Sequence, residues 1–344
     1  MTKPATLHDV AALAGVSIKT VSRVANGTTT VRPDVRDRVL SAIAELQYVP
    51  NSFARSLKMG SGDTVGVIID TIADPFFASL THAVEARALE AGLNVIFGST
   101  GFTPERERRQ VERMAMQRVE ALILAPVSGS HAYLEPYRRS FPIVLIDRSI
   151  EIEGFDVVAV DDRGITRRAI DHLLAHGHRK IAFVGSDARF PTTVERLIGY
   201  EESLAAAGIA VRPDWVRPGP TVDVDAADVV AEMLAEDDQP TAIFAANPRA
   251  AVGVAHALHT AERADIAFIS FGDFPLAKTL RPAVTYVNQD PEAIGVAAIE
   301  RVLTHLEAKK LRRKDPSAKI PEDEPRTIIV DTDIVERGSG EVTP

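Results

Sequence analysis

From Thr64 onward, short apolar β-branched runs alternate with helix-length segments, and this rhythm limits the possible folds more than any other feature of the chain. Thr64–Ile69 is a run of the kind that fills a buried parallel strand. Asp74-Pro75 opens a helix to about Ala91, Asn94–Phe97 is a second strand, and Thr103-Pro104 opens the next helix before the strand Ala121–Leu124. His131–Arg139 and Ile143–Ile146 repeat the unit. After Val157–Val160 it resumes with helix Asp162–His176, strand Ile181–Val184 and helix Thr193–Ala207. Helix Ala226–Ala235, strand Thr241–Ala245, helix Ala250–His259 and strand Ile266–Ser270 follow. Strict alternation implies parallel sheets covered by helices on both faces. The strands are too many for one compact sheet, so two doubly wound lobes are expected. Ligands of such folds sit at the carboxyl ends of strands, here between the lobes.

Charge divides the chain differently. Residues 1–60 carry a net +4, whereas the 344-residue chain as a whole carries −9, leaving −13 on the rest. A small basic head on a large acidic body points to a polyanion-binding module joined to something that is not one. Cysteine is absent, which excludes disulfides, thiolate metal sites and a cysteine nucleophile, and fits a reducing cytoplasm. Met1–Val10 lacks a charged-then-apolar signal pattern, and no apolar run approaches the roughly 18 residues of a membrane span.

The basic head reads as a helix-turn-helix. Thr6-Leu7-His8-Asp9 matches a capping box, and Leu7, Val10, Ala11 and Ala14 fall on one helical face. Gly15 ends that helix and Ser17 caps the next, whose apolar side is Val21, Val24 and Ala25 before Asn26-Gly27. Two short helices across a glycine-containing turn are the sequence form of the DNA-reading motif. A third helix starts at Pro33, with Val35, Val39, Ala42, Ile43 and Leu46 as its core face. The second helix of such a motif enters the major groove by its N-terminal end, so Ile18, Lys19, Ser22 and Arg23 are the candidates for base contacts. Arg23 suits the O6 and N7 of guanine, while Ser17, Thr20 and Asn26 suit phosphates. A plain three-helix bundle with Lys19 and Arg23 as solvated surface is the alternative.

Leu7–Ala11, Val16–Val24 and Tyr48-Val49-Pro50-Asn51 together resemble the lactose/galactose repressor family (LacI/GalR). The resemblance extends over roughly residues 5–340 through Asp74-Pro75-Phe76-Phe77, Asp147-Arg148, Gly177–Phe183, Glu195–Tyr200, Pro240–Phe244 and Glu336–Ser339. It implies an all-α helix-turn-helix headpiece over residues 1–50, a hinge helix and linker over 51–62, and an α/β core of two doubly wound parallel-sheet lobes like a periplasmic binding protein. The N-terminal lobe is expected over 63–160 plus 290–324, the C-terminal lobe over 161–289 plus 325–344. Chain crossings are then expected near Val160–Asp161, near Gln289–Asp290 and before Arg326. The hinge positions matching the family's DNA contacts are Asn51, Ala54 and Leu57, with Leu57 as a wedge into the minor groove. An eight-residue helix beside the Gly/Ser linker Met59–Gly62 is too short to be stable alone, so its folding is expected to couple to DNA. Lys309–Pro325, longer and more charged than a connector needs, reads as a loop.

The resemblance places the effector at Phe77, Asp147, Arg148, Arg196 and Asn247, with Asp273 a further hydroxyl acceptor. Two departures bear on its chemistry. Asn247-Pro248-Arg249 stands where the family has Asn-Asp, and Ser270-Phe271-Gly272-Asp273 where it has Gly-Phe-Asp-Asp. Losing a carboxylate weakens the case for a neutral monosaccharide, and Arg148, Arg196 and Arg249 suit an anionic sugar derivative. Asp147, Asn247 and Asp273 still suit a neutral sugar, polyol or nucleoside. The expected protein is a cytoplasmic, ligand-responsive regulator, more a repressor than an activator, that binds double-stranded palindromic DNA as a homodimer. Control by a protein partner, or none by a small molecule, is the alternative.

Enzyme readings find little support. No G-x-G-x-x-G follows a strand, and neither a P-loop nor a G-x-S-x-G elbow is present. His172 and His176 lie one helical turn apart, but Gly177 ends that helix and its dipole favours histidine there without a metal. Asp161-Asp162 with Asp147 forms a carboxylate group that reads as lobe-joining, or as helix capping by Asp162, rather than acid/base machinery. No catalytic residue, metal or other cofactor is expected.

Overall fold

The computed structural model describes residues 5–25, 31–48, 62–127, 131–148, 154–185, 187–219, 223–315 and 325–344. They form two compact units, divided between Gly62 and Asp63. Asn26, Asn51, Ala54 and Leu57 lie outside the described residues, as does the expected hinge helix.

The first unit holds α1 (Leu7–Ala14), α2 (Ile18–Ala25) and α3 (Pro33–Glu45). Thr6 Oγ1 accepts from the Asp9 amide while the Asp9 carboxylate accepts from the Thr6 amide at 2.8 Å, closing the capping box. Gly15 then takes a left-handed φ of 64°, which turns the chain within three residues. Ser17 Oγ accepts from the Thr20 amide at 3.2 Å and starts α2. Val10, Ala11, Ala14, Val21, Val24, Val39 and Ala42 pack together as the core.

The second unit is built on two sheets. The first follows the order β11-β5-β4-β3-β1-β2, from β1 (Thr64–Ile69), β2 (Asn94–Ser99), β3 (Ala121–Leu124), β4 (Ile143–Ile146), β5 (Asp156–Ala159) and β11 (Thr327–Ile329). All its pairings are parallel. The second follows β12-β10-β9-β8-β6-β7, from β6 (Ile181–Gly185), β7 (Val216–Pro218), β8 (Ala242–Ala245), β9 (Ala267–Phe271), β10 (Thr285–Asn288) and β12 (Asp333–Val335). Only β12 runs antiparallel there. The helices are α4 (Pro75–Glu90), α5 (Pro104–Met116), the short α6 (Glu135–Arg138), α7 (Asp162–Ala175), α8 (Pro191–Ala206), α9 (Asp223–Ala235), α10 (Pro248–Thr260) and α11 (Pro291–Lys314). None of the described helices is long and apolar enough to cross a membrane.

Alternation along β1 shows how each sheet is sandwiched. Val65, Val67 and Ile69 pack with Leu80 and Val84 of α4 and Ile294 and Ala298 of α11, whereas Ile68 packs with Val111 and Met114 of α5. In the second sheet Phe183 meets Tyr200 of α8, and Val184 joins Val254 of α10 and Met233 of α9 on the other face.

The chain crosses between lobes after β5, after β10 and after β11. This corrects the expectation of a third crossing before Arg326. Thr327–Ile329 pairs with β5 in the first sheet, so the chain reaches the second sheet only at Asp333. Lys309–Lys314 is also not loop but the last turns of α11, and residues 316–324 of that expected loop lie outside the described residues. Three-residue strands such as β7, β11 and β12 are too short and polar to register as apolar runs.

Two glycines set how closely helices approach. A Cβ on Gly199 of α8 would lie 2.5 Å from the Arg163 carbonyl oxygen of α7, and one on Gly295 of α11 would lie 2.5 Å from that of Leu80 in α4. Neither backbone oxygen has room to retreat without moving its helix. Gly199→Ala is therefore expected to cost about 1–3 kcal/mol by overpacking, seen as a lower urea midpoint with an unchanged denaturant slope.

Candidate functional site

Parallel strands end on one edge, and the helices that follow begin there. Their first turns carry polar caps. Asp74 accepts from Phe76, Asp161 from Gly164, Asn247 from Ala250 and Asp290 from Ala293, all through backbone amides at 2.8–3.0 Å. Pro75, Pro191, Pro248 and Pro291 occupy the first helical turn, where no N–H is needed. Order reverses at β1 in the first sheet and at β6 in the second, which is where ligands of doubly wound sheets bind. A cavity of about 350 Å³ lies there between the lobes.

Two arginines dominate it, and both are already engaged. Arg148, 4 % exposed, bonds the buried Asp70 carboxylate and the Pro126 carbonyl, with its guanidinium carbon 4.8 Å from the Phe190 ring centre. Arg196, 6 % exposed, donates to Asp162 at 2.6 Å and to the Ala246 carbonyl at 2.5 Å, and lies 3.6 Å over the Phe271 ring. Each bonds a buried carboxylate and a carbonyl and lies on an aromatic face, while the buried Arg148 Nε has no hydrogen-bond partner among the described residues. A third, Arg189, pairs with Asp187 at 2.7 Å. Arg249 reaches across to the Phe102 ring at 5.7 Å.

The carboxylates are balanced the other way. Asp147 sits in the left-handed region at φ 71°, 3.6 Å from the Arg148 guanidinium. Burial pushes its pKa up, while Arg148 and Arg196 pull it down. Asp74 faces the same space, and burial raises its pKa to about 6, with the Asp147 charge adding to the rise and Arg249 opposing it. Burial lifts Asp162 to about 6 as well, against the pull of Arg196. Phe76, Phe77, Phe102 and Phe190 supply apolar walls, Phe76 edge-on to Phe77 and Phe102 edge-on to Phe190 across the lobes.

Of the sequence-predicted effector residues, Phe77, Asp147, Arg148, Arg196 and Asn247 line this cavity together. Asp273 does not. Its carboxylate is gripped by Arg337 at 2.8 and 3.0 Å in a neighbouring depression, because positive φ at Gly272 turns the chain away. Asp70, Phe102, Asp187, Phe190, Thr193 and Gln289 line the cavity and escaped the sequence reading. Asp70 and Gln289 follow directly on the carboxyl ends of β1 and β10, and Asp187 comes two residues after β6, which is the signal by which these can be found. The helix cap is Asp161, not Asp162, whose carboxylate is taken by Arg196. His172 bonds Glu341 at 2.8 Å, and His176 bonds the His172 carbonyl.

In the first unit, Ser17, Ile18, Lys19 and Arg23 are exposed and Thr20 and Ser22 half-buried, on the face of α2 opposite buried Val21 and Val24. Neither Lys19 nor Arg23 has a hydrogen-bond or ion-pair partner among the described residues.

The raised pKa of Asp74 ties stability to pH. Folded Asp74 keeps its proton to about pH 6, against an ordinary 3.8, so its contribution is fully present below 3.8 and is lost as pH rises through 6. Asp74→Asn keeps a helix cap and removes the buried charge. Its half-exposed position makes the gain about 1–2 kcal/mol at pH 8. The melting temperature of the variant should exceed that of the parent chain at pH 8, and the two should converge only as pH falls below 3.8.

The comparisons with known proteins fit both units. Residues 6–51 match the model of the bacterial regulatory proteins of the lacI family, and residues 62–321 that of the periplasmic binding proteins and sugar-binding domain of the LacI family. The chain is 33 % identical over 306 residues to the transcriptional regulator GalS of Salmonella typhimurium, covering 88 % of each protein. It is 30 % identical over 312 residues to the transcriptional repressor PurR of Histophilus somni, covering 89 % of this chain and 93 % of that one. The Lac repressor dimer bound to operator and the anti-inducer ONPF superposes with a TM-score of 0.81 at 26 % identity, over 98 % of this chain and 99 % of that one. With a capped helix-turn-helix ahead of a two-lobed α/β core, the chain belongs to the LacI family of DNA-binding transcriptional regulators.

Proposed function

We propose that this regulator represses transcription in the cytoplasm by binding a palindromic operator as a homodimer. We further propose that a neutral, hydroxyl-rich molecule of the sugar class, held between the lobes, sets its operator affinity. One observation carries the second part. Arg148 and Arg196, the positions that first suit an anionic effector, are closed by Asp70 and Asp162. An anion entering the cavity meets Arg148 and Arg196 already paired with carboxylates, together with Asp74 and Asp147. Hydroxyls find acceptors there and a donor in the Asn247 amide, while Phe77 and Phe190 cover the apolar face of a ring.

Coupling follows from where the lobes touch. Arg148 lies on Phe190, Arg249 on Phe102, and Phe102 against Phe190. A ligand wedged among these contacts favours one lobe angle over another, and differential affinity for the two angles is all that allostery requires. On the DNA side, Arg23 reads guanine, Ile18, Lys19 and Ser22 contact neighbouring base edges, and Ser17, Thr20 and Asn26 hold phosphates. Asn51, Ala54 and Leu57 complete the contact at the centre of the operator, with Leu57 as the wedge.

Calorimetric titration of the full chain with neutral mono- and disaccharides and with sugar phosphates tests the effector class. A neutral sugar should bind, with affinity at least tenfold lower in Asp147→Asn and little changed by salt. Tight binding of a sugar phosphate alone, weakened by salt and by Arg148→Ala, would overturn the neutral reading. For the DNA reading, Arg23→Ala should cost about 1–3 kcal/mol and relax preference at one symmetric base position in a binding-site selection. Equal weakening on all sequences would instead make Arg23 a phosphate contact.

A further inference from the structure

A second cavity, of about 590 Å³, opens in the first lobe, away from the cleft. Its walls come from the end of α6, the starts of β4 and β5 and the last turns of α11. Arg138, Arg139, Lys309, Arg312 and Arg313 line it. Its one lining carboxylate among the described residues, Asp156, is buried and bonded by Arg301 and His305. Arg138 pairs with Glu135 and Lys309 with Glu120. Arg139 and Arg313 are exposed and have no hydrogen-bond or ion-pair partner among the described residues.

Cations in the last turn of a helix are favoured by its dipole, which accounts for Arg312 and Arg313 on α11 taken alone. It does not account for cationic side chains from α6 and from α11 converging on one concavity. Residues 61–344 carry a large negative excess, so five cations around one cavity run against the trend of the body. Parallel strands begin together, so the cavity lies at the end of the sheet where β1 starts at Thr64.

We propose that this cavity binds phosphate groups, with Arg139 and Arg313 as its open guanidinium forks. Planar forks take phosphate oxygens in pairs, and the surrounding charge concentrates polyanions. Two sources present that chemistry to a DNA-binding protein: the DNA backbone beside an operator, and a free phosphorylated small molecule. The site is separate from the cleft, so an effector of either charge leaves it intact.

The double variant R139Q/R313Q, made in the full chain, tests it. Both positions are exposed, so its melting temperature should match the parent. In one arm the chain is titrated with inorganic pyrophosphate by calorimetry at low salt. In the other, affinity for a random-sequence duplex is measured against salt concentration. If pyrophosphate binds one site and weakens at least tenfold in the variant, the cavity takes a free phosphorylated ligand. If instead the slope of log affinity on log salt falls by about 0.9 for each phosphate no longer neutralised, the cavity holds DNA backbone. Unchanged pyrophosphate affinity, or none in either protein, together with an unchanged salt slope would overturn the proposal.

Discussion

Parallel pairing is the constraint on which the rest of this molecule depends. A parallel strand cannot be joined to its neighbour by a tight turn, so each needs a crossover, and here the crossovers are mostly helices. Strands then finish on one edge and helices start on the same edge. A helix start leaves backbone donors unsatisfied, and this chain satisfies them with Asp74, Asp161, Asn247 and Asp290. Two sheets facing each other by those edges must gather polar caps and charges in the gap. The cleft is thus a consequence of topology before it is a site.

Gathering charge in a gap brings a cost, which the chain meets by pairing. Asp70 with Arg148 and Asp162 with Arg196 are almost fully buried, and each arginine also takes a carbonyl. Removing one partner of such a pair leaves an uncompensated charge, at a cost of about 3–5 kcal/mol. These arginines therefore act as fixed parts of the wall. Around them the cavity wall also carries Asp74, Asp147, Asn247, Arg249 and the rings of Phe76, Phe77, Phe102 and Phe190.

The sequence shows the architecture plainly because its long elements are strongly patterned. The βαβ rhythm, the capping box at Thr6, the turn at Gly15 and the Pro-led helices can all be read from spacing. What spacing misses depends on partners distant in sequence. That Arg148 bonds Asp70, 78 residues away, is invisible along the chain. Asp273 looks like a pocket residue until Arg337, 64 residues on, claims it. β11 and β12, three residues each, carry too little pattern to fix the last crossing, which only pairing with β5 and β10 reveals.

The two departures from the family pattern, distant in sequence, are neighbours in space. Gly272 sits at φ 98°, where a side chain is strained, and a Cβ there would lie 2.8 Å from Pro248 Cγ and 2.7 Å from the Gln289 amide nitrogen. The usual aspartate at 272 has no space beside Pro248, and the usual aspartate at 248 would face Gly272 instead of a second carboxylate. The pair is thus one physical change: a proline ring and the buried Gln289 occupy the corner where carboxylates ordinarily stand. Gln289 also lies where the chain crosses between lobes, and it donates to the Phe271 carbonyl at 3.4 Å. The polar group that stands in this corner is therefore a neutral amide, carried by the segment that crosses between the lobes. A ligand bonding this amide would touch the segment that joins the two lobes.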